Sequence, residues 1–149
     1  MSEIDTVELR RVVSRQEFAD ALALRHDVFC LEQGVPEHEE LDGRDDAASA
    51  IHLIAVEAGE VLGVCRLLIV GATAQFSRLA VRGDARRRGI ASALLRLADE
   101  ETLAAGADRL VLHAQTYARL LYERAGYRPR GRVFVEAGIE HIAMEKRLG

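Results

Sequence analysis

Apolar residues along the chain recur at two different periods, and the switches between them mark the elements. Val7 to Val13 alternates and predicts a first strand. Ser14 followed by Glu17 has the spacing of a capping box, so a helix is expected to start there. Phe18, Ala21, Leu22, Val28 and Phe29 continue it as a helical stripe. Arg25 interrupts the stripe, which predicts either a stem lying along the core with its charge at the surface or a cation reaching into a pocket. From Glu32 to Ser49 the period vanishes, and EQGVPEHEELDGRDDAAS predicts a long loop with short helical turns.

Regular structure resumes with two β-rich runs, His52 to Ala58 and Val61 to Val70. Only Gly59 and Glu60 separate them, which predicts an antiparallel hairpin. Ala74 to Val81 reads as the next strand. A helix from Gly89 to Ala105 follows, with Ile90, Leu94, Leu97, Ala98 and Leu103 on one stripe and Gly106 as its stop. Arg109 to His113 predicts a strand, Ala118 to Arg124 a short helix ending at Gly126, and Val133 to Glu136 and Ile139 to Glu145 two strands around Gly138. Strands alternating with helices in the middle and hairpins at the ends imply an α/β or α+β domain around one mixed sheet.

Composition narrows the function classes. A chain of 149 residues fits one domain spanning 1–149. Aromatic residues make up only 5 %, so the core must be aliphatic. A net charge of -4 argues against a general affinity for nucleic acid or an anionic membrane. The N-terminal stretch MSEIDTVELRR has no basic-then-apolar leader pattern, and Cys30 and Cys65 form no C-x-x-C pair; the expectation is a cytoplasmic protein with reduced cysteines. Six acids between Glu37 and Asp46 predict a solvated face or a lure for a cationic substrate, with local hydrogen bonding as the remaining reading. His38, Glu39, Glu40 and Asp42 match no metal-binding pattern, and no metal is expected.

The pattern Arg86-x-x-Gly89-x-Ala91 carries the sharpest chemistry. It follows a strand and opens a helix, so Arg87, Arg88 and Gly89 enter a turn where amide groups converge beside the positive end of the helix dipole. Small Gly89 and Ala91 let backbone approach an anion, and arginine side chains can offer paired hydrogen bonds to phosphate oxygens. Neither a GxxxxGK[ST] loop nor a GxGxxG fingerprint is present.

The segment LAVRGDARRRGIASALL resembles the cofactor motif of the Gcn5-related N-acetyltransferase (GNAT) superfamily, Q/R-x-x-G-x-G/A after a central strand. Ala118-x-x-Leu121-Tyr122-Glu123-x-x-Gly126-Tyr127 is similar to the late segment of that family. Arg25-x-x-Val28-Phe29-x-x-Glu32-Gln33-Gly34-Val35-Pro36, His113-Ala114-Gln115 and Phe134-x-Glu136-Ala137-Gly138-Ile139-x-His141 resemble its ElaA-like branch. The resemblance implies a mixed, mostly antiparallel central sheet flanked by helices, with a bulged strand that opens a cleft for the pantetheine arm of coenzyme A. It further implies donor contacts at Leu79, Ala80, Val81, Arg86, Arg87, Arg88, Gly89, Ile90 and Ala91. Gln115 stands where many relatives have Asn, so no donor contact is assigned to it.

From the resemblance follows an N-acetyltransferase using acetyl-CoA as cosubstrate, without a metal. Its acceptor would be a primary amine on a small molecule or peptide. Tyr122 matches the tyrosine that protonates the departing thiolate in many members. Glu136 and His141 are the leading candidates for the base, ahead of His113, Glu32 and His52, and structural hydrogen bonding is the competing role for each. Tyr117 and Tyr127 have weaker claims as proton donors. A non-catalytic acyl-CoA-binding or regulatory module is the alternative, and an α/β domain that merely displays a basic turn is the third reading. A homodimer is expected only on grounds of symmetry.

Overall fold

The computed structural model describes residues 6–149. Met1 to Asp5, part of the stretch read as lacking a leader, lie outside them. Strands β1 (Glu8–Arg11), β2 (Ala50–Glu57), β3 (Glu60–Val70), β4 (Thr73–Val81), β5 (Arg109–Gln115), β6 (Arg128–Glu136) and β7 (Ile139–Arg147) form one sheet in the order β1-β2-β3-β4-β5-β7-β6. Neighbours are antiparallel except β4 with β5. The mixed, mostly antiparallel sheet is therefore as expected. Among the described residues, no helix is long and apolar enough to cross a membrane.

Alternation along β2 separates the two faces. Leu53 and Ala55 pack in one core cluster with Ile90, Leu94 and Leu95 of α3 (Ile90–Ala104). Ile54 and Val56 pack in another with Ala21 and Leu24 of α1 (Arg15–Arg25). Thus α1 and α3 cover opposite faces, which is why β3 is apolar almost without interruption. Gly63 on β3 sets how closely α3 lies. A Cβ there would come within 2.8 Å of Ile90 Cγ2 and 3.0 Å of Leu94 Cδ1.

The start of α1 follows the capping reading: Ser14 Oγ accepts from Glu17 N–H, and Glu17 Oε1 accepts from Val13 N–H. Its end does not. After Arg25 the chain widens into a π-helical stretch, His26–Glu32, and a one-turn helix α2 (Glu37–Glu40) interrupts the predicted loop.

Arg25 is wholly buried rather than snorkelling. Its Nη2 lies 2.6 Å from Glu40 Oε2 and its Nη1 2.6 Å from Asp45 Oδ1. Arg66 of β3, also buried, pairs with Asp42 at 2.7 Å and Asp45 at 3.0 Å, and Arg78 of β4 pairs with Glu40 at 2.8 Å. Three guanidinium groups thus neutralise three carboxylates of the acidic segment. For Glu40, Asp42 and Asp45 both leading expectations need correction, because these acids are held by arginines and are not free to attract a cation; Glu37, Glu39 and Asp46 are exposed, as a solvated face would be. Burial, the largest single influence, pushes the Asp42 and Asp45 carboxyls up, but hydrogen bonds and charge from Arg66, with the Arg44 amide and Arg78, at Asp42 and from Arg25 and Arg66 at Asp45 together outweigh it and hold both below the usual range.

The parallel β4–β5 pair lasts only through Thr73–Arg109, Ala74–Leu110 and Gln75–Val111. Beyond it the strands part. On the other side of β4, Arg66 faces Ser77 and Val64 faces Ala80, so β4 carries one residue more than β3 over this stretch. That bulge contains Arg78, held at φ +60°, and it bends β4 away from β5.

Candidate active site

Where β4 and β5 diverge lies a cleft of about 1500 Å³. Eight of the nine donor residues expected from the sequence line it: Leu79, Ala80, Val81, Arg86, Arg87, Gly89, Ile90 and Ala91. Arg88 does not. It turns instead to Glu57 of β2, 2.7 Å away.

The turn that opens α3, expected from the sequence to bind an anion, lines the cleft. Gly89 caps α3 at φ +82° with no side-chain hydrogen bond, and Arg87 before it also has positive φ, +65°. The leading amide groups of a helix lack internal partners, and here no capping side chain among the described residues takes them up. Apart from its two chain neighbours, no described residue lies within 4 Å of where a Gly89 Cβ would sit, so its backbone angle accounts for the glycine.

The four arginines of this turn differ in their partners. Arg82 pairs with Asp84 and Glu60, at 2.6 and 3.4 Å. Arg86 donates through Nε to Val81 O and through Nη2 to Glu32, 2.8 Å away. Among the described residues, Arg87 makes no ion pair.

Along the wall of the cleft, Tyr122 of α4 (Arg119–Arg124) is buried edge-on against Phe76 and Tyr127. Among the described residues its hydroxyl has no hydrogen-bond partner, although the residue lines the cleft. Burial raises its pKa well above that of a free phenol, with further contributions from Cys65 and Tyr117, so it stays protonated through neutrality. Tyr127 is a packing residue: buried, in contact with Tyr122 and with the Lys146 ammonium over its ring. Tyr117 is largely exposed.

The β6–β7 hairpin brings two of the base candidates together. It turns at Ala137 and Gly138, both at positive φ, so Glu136 pairs across the turn with Ile139. His141 Nδ1 lies 2.7 Å from Ile139 O. A carbonyl can only accept, so the neutral imidazole carries its proton on Nδ1 and leaves the Nε2 lone pair free. That nitrogen faces Glu136 Oε2 at 3.7 Å, while Glu136 Oε1 accepts from His113 Nδ1 at 3.1 Å. Phe134 stacks on His141.

His52 is not brought to this group. Its Nε2 donates to Asp45 O at 2.9 Å, since a carbonyl can only accept, and its ring packs edge-on against Phe18 of α1. Glu32 reaches the cleft, but as the partner of Arg86.

One feature escaped the sequence reading. Gln115 Nε2 donates to Gln33 Oε1 at 2.7 Å, and Gln33 Nε2 donates to the Tyr117 hydroxyl at 3.2 Å. This polar chain crosses from the end of the π-helical stretch to β5. Its parts were visible in sequence only as members of family-like runs, because side chains 82 positions apart reveal no pairing by spacing.

Comparisons with known proteins agree with this geometry. The acetyltransferase (GNAT) domain model matches residues 13–148. YjcF of Bacillus subtilis, described as an uncharacterized N-acetyltransferase, is 28 % identical over 141 residues, which cover 93 % of this chain and 99 % of YjcF. An acyl-CoA N-acyltransferase from Pseudomonas aeruginosa superposes with a TM-score of 0.83 at 27 % identity, covering 94 % of this chain and 97 % of that one. Escherichia coli ElaA shares the fold, with a TM-score of 0.84 at 23 % identity over 95 % of this chain and 98 % of its own. The splayed sheet, the uncapped helix after an R-x-x-G-x-A turn and a family match spanning almost the whole chain together show that this protein belongs to the GNAT acetyltransferase family.

Proposed function

We propose that the protein transfers an acetyl group from acetyl-CoA to a primary amine of a small molecule or peptide. The observation that carries this reading is the cleft itself, with an uncapped anion-binding turn at one end and a buried, protonated tyrosine along its wall. The free amine attacks the thioester carbonyl, a C–N bond forms, and the C–S bond then breaks as Tyr122 gives its proton to the departing sulfur. His141 Nε2 takes the proton lost by the amine, directly or through water, and Glu136 faces the imidazolium that results. Leu79, Ala80 and Val81 offer backbone groups to the pantetheine arm, and the amides from Gly89 to Ala91 with Arg86 and Arg87 meet the phosphates. Arg88, being turned to Glu57, stays out of this set.

Direct transfer suits the cysteines. Cys65 is fully buried and burial pushes its thiol well up; burial raises that of Cys30 as well, with the Glu40 and Glu37 charges adding to it. Neither is primed as a nucleophile.

Calorimetric titration with acetyl-CoA and CoA tests the donor half, and absence of binding at physiological concentrations sinks the proposal. Thiol release across a panel of amines tests the acceptor half, and binding without turnover on any amine returns the non-catalytic module. Tyr122→Phe is expected to lower kcat by about 10²- to 10⁴-fold, the range of general-acid contributions, with little change in CoA affinity. An unchanged kcat and alkaline pH limb would remove Tyr122 from the mechanism.

A further inference from the structure

We propose that Glu40 and Arg78 form a clamp that holds the β4 bulge in its cleft-opening conformation, making both of them positioning residues for donor binding. This rests on the acyl-CoA reading above and deepens it. Arg78 is the residue at which β4 departs from its pairing with β3, and it sits at φ +60°, a backbone angle that few residues other than glycine and asparagine adopt. Leu79, Ala80 and Val81 follow it immediately. If Arg78 relaxed to the extended conformation, the alternation of these three residues would slip, and the backbone groups offered to the pantetheine arm would turn with it.

The side chain of Arg78 supplies the restraint that its backbone angle lacks. Nε lies 2.8 Å from Glu40 Oε2 and 3.2 Å from Glu40 O, while Nη2 lies 3.0 Å from Glu40 O and 3.2 Å from Glu39 O. Glu40 is a fixed point, only 3 % exposed and tied by the same Oε2 to Arg25 of α1 at 2.6 Å. A continuous path of charged hydrogen bonds therefore runs from α1 through α2 to the bulge. Glycine would take this backbone angle without help; arginine takes it because the clamp compensates.

That contrast gives the test, with CoA as the probe, calorimetry at fixed salt and thermal melting of each variant. Arg78→Ala and Arg78→Gly delete the same ion pairs, so a purely structural role predicts parallel losses. The clamp predicts a split: Arg78→Ala binds CoA about tenfold more weakly, matching the left-handed penalty of a non-glycine residue, whereas Arg78→Gly stays within about twofold of the parent. Glu40→Gln should weaken CoA binding in the parent chain and have no further effect in the Arg78→Gly background. Equal losses in the alanine and glycine variants would mean that Arg78 touches the donor itself, and equal retention would mean that the bulge needs no clamp; either overturns the inference. Should Glu40→Gln fail to fold by circular dichroism, the alanine–glycine pair decides alone. A parent protein that does not bind CoA overturns the acyl-CoA reading and the clamp with it, whereas a parent that binds CoA without the split removes only the clamp.

Discussion

Two groups of arginines use the same guanidinium chemistry to opposite ends. Arg25 and Arg66 are buried beneath the acidic segment, with Arg78 at its margin, and each is matched to carboxylates of that segment. Arg86 and Arg87 stand at the cleft, where Arg86 shares an exposed pair with Glu32 and Arg87 has no ionic partner among the described residues. Burial decides the difference. An exposed pair contributes about 0.2–1 kcal/mol and can be exchanged for a phosphate, whereas breaking a buried pair leaves a charge in low dielectric and costs about 3–5 kcal/mol. The first group builds the cleft, and the second is available to a ligand.

Breaking the buried group should therefore produce the largest effect. Arg25→Met removes one guanidinium partner from each of Glu40 and Asp45, leaving them Arg78 and Arg66, and is expected to lose about 1.5–3 kcal/mol of stability in urea denaturation, the range for hydrogen bonds to charged groups; a loss below about 1 kcal/mol would mean the network is no more than a surface feature. Acid should attack the same place. Asp42 and Asp45 titrate below their unfolded values, so their contribution is fully present above about pH 4 and is lost as pH falls through their folded pKa values. The melting temperature should fall on that side, and Asp42→Asn should flatten the slope.

In the exposed group, Arg87→Ala is expected to weaken CoA binding about tenfold and to reduce its salt dependence, without moving the melting temperature. Arg88→Ala is the contrasting variant, since that side chain is turned to Glu57, and its effect on CoA affinity should be the smaller of the two. Equal losses would show that the turn acts as a diffuse basic patch. Smallest of all, Glu32→Gln should tighten CoA binding about twofold to fivefold by removing the carboxylate that competes for Arg86. Weaker binding would indicate that the pair orients Arg86 for the donor.

Local physics made much of the fold legible. The period switch at Ser14, the two-residue turn between β2 and β3, and Gly106 after α3 all act over a few residues, and these elements appear within about a residue of their patterns: the turn is Ala58–Gly59 and not Gly59–Glu60, while β6 starts at Arg128, five residues before the expected Val133. The R-x-x-G-x-A turn ahead of α3 was legible for the same reason, since Arg86 to Ala91 lies in one continuous stretch. The inward acids of the segment were not legible because their partners lie far along the chain: Asp42 meets Arg66 across 24 positions and Glu40 meets Arg78 across 38. Charge in a sequence looks solvated until a fold supplies the counter-charge.

The sequence by itself determined the order of the main strands and helices, the aliphatic core and the turn ahead of α3, because hydrophobic period, capping and glycine conformation are properties of neighbouring residues. Only the tertiary structure decided that Arg88 faces away from the cleft, that His141 presents Nε2 to Glu136, and that Arg78 holds a left-handed bulge against Glu40. Each of these depends on which strands pair and in what register, and such pairing is settled by the packing of distant segments, not by the residues on either side.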